Sequence, residues 1–213
     1  VTADLNSRRR LLALLCLAGV VGCATTPPPR TLIVIPSLPV APLATRAADG
    51  SAAVPASLQV VVGVVSVPEQ WQHRSVRYQG QEAALVAWPG SIWAERIEVG
   101  LTRRLSQGLR VLMPAHGWWT HEDQGAKARL LVDIQQLDVD PAAGSLSAVV
   151  NWRLLSRQGT PLSSGAVSDH RNVVIRGADE QARVMGEWVD ALARSITDQL
   201  PPAAFERTDS KGQ

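Results

Sequence analysis

Apolar and polar residues alternate from Ser145 to Ser156. Leu146, Ala148, Val150, Trp152 and Leu154 share one face, and Ser145, Ser147, Val149, Asn151 and Arg153 share the other. A period of two predicts a strand covered on one side. Arg129 to Val139 shows the same alternation, imperfect toward its end, and Ala166 to Ile175 a weaker one. Asp140-Pro141 with Gly144, and Gly159 with Pro161, mark hairpin turns between them. Leu58 to Val67 is apolar on both faces, the pattern of a central buried strand, and Pro68 stops it. Ser75 to Gln79 and Glu82 to Trp88 are short strand-like segments around Gly80, followed by a turn at Pro89-Gly90. Thr31 to Ile35 is a compact β-branched strand signal in an otherwise Pro-, Ala- and Ser-rich stretch.

Two stretches change period. Ser91 offers a helix N-cap ahead of Ile92 and Trp93, and Ile97, Leu101, Leu105 and Leu109 follow at successive i+4 spacings. Arg96, Arg103 and Arg104 are left for the opposite side. A second helix is predicted from Asp179 to Leu200, with Met185, Val189, Leu192 and Ile196 as its stripe and Trp188 beside it; Pro201-Pro202 ends it. The predicted fold class is α+β, a mostly antiparallel sheet with two long amphipathic helices on one face. The predicted domain is 58–200, behind a tether at 23–57 and ahead of a disordered tail at 201–213.

The amino-terminal residues fit neither period. Arg8-Arg9-Arg10 precede an apolar run from Leu11 to Val21, which ends in small residues and Cys23. This is the pattern of a secretory signal peptide over 1–22, too short to span a bilayer of roughly 20 apolar residues. Val20-Val21-Gly22-Cys23 resembles the bacterial lipobox, which implies cleavage before Cys23 and acylation of that residue. Removing 1–22 takes away three arginines and one aspartate and leaves 18 basic and 18 acidic side chains. A formally neutral mature chain has no overall electrostatic attraction to nucleic acid or to an anionic membrane face. The only other cysteine, Cys16, leaves with the leader, so no disulfide forms within the mature chain.

Familiar catalytic motifs are missing from the sequence. No two glycines stand two apart, neither lysine follows a glycine, and there is no Gly-x-Ser-x-Gly or His-Glu-x-x-His. His116 and His121, with Glu122 and Asp123, are the nearest approach to a metal cluster. They fall in a Gly- and Trp-containing stretch that reads as a loop, where solvated polar groups are the simpler reading. No metal and no cofactor is expected. Asp138 and Asp140 lie two apart at a strand end, so both point to one face, yet a turn beside Pro141 favours solvation over acid–base work. His73 and His170 stand alone. Tryptophan is over-used, with seven against one Tyr and one Phe. Trp93, Trp152 and Trp188 lie on or beside apolar stripes. Trp118-Trp119 falls in a predicted loop, where it serves either as a partner-binding hot spot or as an aromatic plug over the end of the sheet.

Together these motifs resemble the ABC-type transport auxiliary lipoproteins, the PqiC-like family. The residues that carry the likeness are the lipobox, the strand at Thr31 to Ile35, and the strand running into Pro68. To these are added the Gln/Arg-rich crossing ending Ser75-Val76-Arg77-Tyr78, and Trp93-Ala94-Glu95 opening the Leu-rich helix through Leu109. The later hairpin and last helix follow in order. The resemblance spans most of 23–200. It implies an outer-membrane lipoprotein on the periplasmic face with no active site. It also implies an MCE-domain periplasm-spanning protein and its inner-membrane permease as partners in lipid movement; the chain itself could also be a homo-oligomer. The competing readings are an envelope hydrolase using Asp138 and Asp140, and a lipoprotein that itself carries lipid.

Overall fold

The computed structural model describes residues 29–39, 59–121 and 125–201. In chain order its elements are β1 (Thr31–Ile33), β2 (Gln59–Val62), β3 (Ser75–Gln79), β4 (Leu85–Trp93), α1 (Ile97–Leu112), β5 (Gly117–Trp119), β6 (Ala128–Asp140), β7 (Ser145–Ser156), β8 (Pro161–Asn172) and α2 (Ala178–Gln199). The class is α+β, as the periodicity predicts. The strands, however, divide into two sheets: a five-stranded sheet ordered β5-β2-β6-β7-β8 and a three-stranded one ordered β1-β4-β3.

The five-stranded sheet is antiparallel from β6 to β8, while β2 runs parallel to both β5 and β6. The alternation in β7 is fully expressed, since Leu146, Ala148, Val150, Trp152 and Leu154 are all buried. In β6, Leu130, Val132 and Ile134 are buried, then Leu137 and Val139. The register shifts between Ile134 and Gln136, so one extra residue resets the phase. That bulge explains the imperfect alternation of the sequence. The β6–β7 turn is fixed by Asp140, whose Oδ1 accepts the Ala142 and Ala143 N–H groups at 2.9 and 2.8 Å.

Of the apolar run at 58–67, the described residues 59–67 make only a four-residue strand. Pairing to β6 breaks where Val64 turns out to solvent and the Val65 N–H bonds Thr102 Oγ1 of α1 at 2.8 Å. It resumes at Ser66, which bridges Asp133.

The predicted helix start at Ser91 is wrong. Ser91, Ile92 and Trp93 are the end of β4, paired in parallel with Thr31, Leu32 and Ile33 of β1. The helix begins at Ile97, and Arg96 occupies the N-cap without a side-chain cap bond. Pro89-Gly90 is not a chain reversal but a kink inside β4. Gly90 has φ +65°, and an added Cβ would lie 3.3 Å from the Pro29 carbonyl oxygen. The sheet partner that claims this segment lies some 60 residues upstream, beyond any local pattern.

Both helical stripes face the core. Ile97, Leu101, Leu105 and Leu109 of α1 and Met185, Trp188, Val189, Leu192 and Ile196 of α2 are buried. Each such side chain contributes about 1.5–3 kcal/mol on leaving water. The helices pack closely, because Gly108 presents no side chain where Ala193 Cβ would stand 3.0 Å from one. The expectation that Arg104 lies on the open side of α1 is overturned. It is buried, and its guanidinium grips both carboxylate oxygens of Asp190 on α2, at 2.8 and 2.6 Å.

Candidate interaction site

Cys23, Glu122 and Asp123 lie outside the described residues. Trp118 and Trp119 are not in a loop but in β5, at the edge of the five-stranded sheet. Adjacent strand residues face opposite ways. Trp118 is fully buried, and its carbonyl accepts the Ser106 Oγ–H at 3.1 Å. Trp119 is 37% exposed, donates its Nε1–H to Gln59 Oε1 and lies edge-on to His121 with ring centroids 5.9 Å apart. The pair thus splits the two sequence readings. Trp118 is core, and only Trp119 offers surface.

The outer face of the five-stranded sheet is mixed, with Ser147, Asn151 and Arg153 standing beside Leu131 and Val149. Asp138, Ser147 and His170 form one cross-strand row. Ser147 Oγ and His170 Nδ1 are 2.8 Å apart. A nucleophile triad needs the carboxylate on the imidazole's far nitrogen, with the hydroxyl on the other. Here Asp138 lies on the opposite side of Ser147 and accepts from Gln136 Nε2. Asp140 is committed to the hairpin turn. The two carboxylates therefore point to separate partners rather than to a shared one. On the same sheet face an open groove of about 840 Å³ is lined by Val64, Leu131, Asp133, Asn151, Arg153 and Ala166, among others. Burial holds the His116 imidazole below its ordinary pKa. His73 is exposed. Among the described residues no group of three His, Cys, Asp or Glu side chains is placed to hold a metal ion.

Two features escape local sequence reading. The first is a clamp on the segment after β1. Arg104 Nη1 donates to the Pro36 carbonyl at 2.6 Å, Arg103 Nη2 to the Ile35 carbonyl at 2.9 Å, and Gln107 Oε1 accepts the Leu38 N–H at 3.0 Å. Arg103, Arg104 and Gln107 of α1 thus bind a backbone segment that has no strand partner among the described residues. The signal was present in the Arg103-Arg104 pair, but its target is nearly 70 residues away.

The second feature is β8. It extends to Pro161, earlier than the predicted Ala166, and forms a 12-residue edge of the sheet. Ser163, Ser164 and Gly165 weaken the strand signal there. One outward group, the Ala166 carbonyl, accepts from Gln199 at 3.4 Å.

A family model for ABC-type transport auxiliary lipoprotein components matches residues 37–197. No curated relative matches the sequence. Among solved structures, one of an uncharacterized protein superposes with a TM-score of 0.64 at 15% identity, covering 81% of this chain and 99% of the other. A protein of the domain family DUF330 from Xanthomonas campestris gives a TM-score of 0.51 at 15% identity, covering 79% and 90%. At that identity the likeness speaks to fold alone.

Proposed function

Since this chain belongs to the ABC-type transport auxiliary lipoproteins, we propose that it is a non-enzymatic docking component of an MCE-type intermembrane lipid-transport system. Cys23 carries its acyl anchor, and the chain sits on the periplasmic face of the outer membrane. No helix among the described residues is long and apolar enough to cross a membrane. The observation that carries the docking reading is the edge strand β8. The outer side of this 12-residue strand has no further strand beside it among the described residues, so backbone N–H and C=O groups not spent on β7 lie along an open edge. Such an edge accepts an extended segment of another protein by β-augmentation. At the sheet's other edge, Trp119 supplies a half-exposed indole, an aromatic anchor of the kind that dominates interfaces. The partner is the MCE-domain protein that reaches across the periplasm from its inner-membrane permease.

Photo-crosslinking tests this reading. A benzophenone side chain at Ser168 on β8 or at Trp119 should crosslink to the MCE-domain protein of the transport system, while one at exposed Arg194 on α2 should not. Absence of crosslinks from both edges removes the docking reading.

A further inference from the structure

The three-stranded sheet has an outer face with no function so far. Burial alternates along β1 and past its end: Ile33 and Ile35 are buried, whereas Leu32 is 62% and Val34 48% exposed. Leu32 pairs with Ile92 of β4, which pairs in turn with Ser75 of β3. In-register neighbours share a face, so Leu32, Ile92 and Ser75 form one outward row. Arginines rim it. Arg30 precedes β1, Arg74 reaches the Trp93 carbonyl at the far end of β4, and Arg96 follows β4 with 72% of its side chain exposed. The nearby carboxylates are already engaged, Glu95 by Arg103 and Glu98 by Arg96. Arg30 and Arg74 have no carboxylate partner among the described residues. The mature chain is neutral overall, but this face is not.

Chain length says what the face meets. Leu32 is nine residues beyond Cys23, so a fully extended tether spans at most about 32 Å. A domain of this size is roughly 40 Å across. The tether is therefore too short to let the far side of the domain turn to the membrane, and β1 leads directly into it. We propose that the outer face of the three-stranded sheet, centred on Leu32, Val34 and Ile92 and rimmed by Arg30, Arg74 and Arg96, rests on the anionic bilayer that holds the acyl chains of Cys23. The apolar side chains enter the headgroup boundary, and the guanidinium groups of Arg30 and Arg74 meet lipid phosphates, Arg96 being paired with Glu98. This orientation rests on the acyl-anchor reading. It leaves β8, on the other sheet, for the periplasmic partner.

The test uses the mature acylated chain, purified from bacterial membranes and placed in vesicles of phosphatidylethanolamine and phosphatidylglycerol. With Cys16 removed and Cys23 modified, Leu32→Cys or Val34→Cys supplies the sole free thiol for an environment-sensitive fluorophore. Val174→Cys and Val111→Cys, at exposed apolar positions away from this sheet, serve as controls. Flotation with the vesicles is read first. A chain that does not float sinks the anchor and this orientation with it. In a chain that floats, the probes at 32 and 34 should be blue-shifted and quenched by headgroup-level nitroxide lipid at least about twofold more than the controls, as for side chains a few ångströms into the interface. Water-like emission at 32 and 34 overturns the proposal while leaving the anchor intact. Blue-shifted emission without lipid quenching also overturns it, because a second copy of the chain or another protein then covers the face.

Discussion

The two sheets were built by different kinds of information. In β6, β7 and β8 each strand pairs with its neighbour in sequence through a short turn, and alternation, reset once by the β6 bulge, places the buried side chains of β6 and β7. In the three-stranded sheet the central strand β4 pairs with β3 on one side and with β1, some 60 residues earlier, on the other. Local pattern describes the β6–β8 meander well; it misreads β4, and it misreads β5, whose parallel partner β2 lies nearly 60 residues earlier. The difference shows that a strand whose partner is distant can imitate a helix start, as Ser91-Ile92-Trp93 does.

Core truncations should mark the contrast most strongly. Trp118 and Trp119 are adjacent, one fully buried and one half-exposed. Trp118→Ala should cost about 3–5 kcal/mol in urea unfolding. Trp119→Ala should change stability by no more than about 0.5 kcal/mol while weakening partner capture. Equal costs at the two positions would show that the edge of the five-stranded sheet is not seated as described.

Arg104 joins the two halves, since it binds Asp190 of α2 and the Pro36 carbonyl beyond β1 at once. Arg104→Ala strands a partly buried carboxylate and leaves the Pro36 carbonyl without its donor, and should cost about 3 kcal/mol. Arg104→Met with Asp190→Leu should recover most of that loss, because an apolar pair needs no partner charges. If the double variant is as unstable as the single one, the clamp on residues 35–38 carries the energy rather than the ion pair. Gly90→Ala tests the three-stranded sheet alone. At φ +65° it should cost about 1–2 kcal/mol, and protease susceptibility should rise first around β1 and β4. A neutral result would mean that the kink is dispensable.

What was legible follows the same division. The span of β7, the stripes of both helices and the turn at Asp140-Pro141 to Gly144 all rest on contacts within about a dozen residues. The bulge in β6 left its trace as a phase slip after Ile134. By contrast, the break of β2 at Val64 depends on Thr102 of α1, and the burial of Arg104 on Asp190, some 86 residues apart. Helical spacing says which side of α1 Arg104 occupies, but not that α2 covers that side. The site follows the same rule. Sequence singled out Trp118-Trp119 as either a hot spot or a plug. Which of them is buried was settled by pairing with Val60 of β2. The β8 edge was shortened because Ser163 to Gly165 are poor strand formers, and its exposure depends on strand order, which no local pattern encodes.

The smallest effect concerns pH, and it separates the end of α1 from both sheets. His116 follows α1, and burial holds its pKa below the ordinary 6.5. The folded state therefore binds a proton less readily than the unfolded chain. Above pH 6.5 both forms are neutral and His116 adds no pH dependence. As pH falls below 6.5 the unfolded chain takes up the proton first, and stability declines until the folded-state pKa is passed. His116→Gln removes this contribution. The stability difference between variant and wild type, measured by urea midpoint, should thus shift in favour of the variant between pH 7.5 and 5, by a small amount because the ring is only partly buried. Carboxylates common to both proteins cancel in that difference. Parallel curves would show that the imidazole is as well solvated in the fold as outside it, and would place the β5 approach in water rather than against the core.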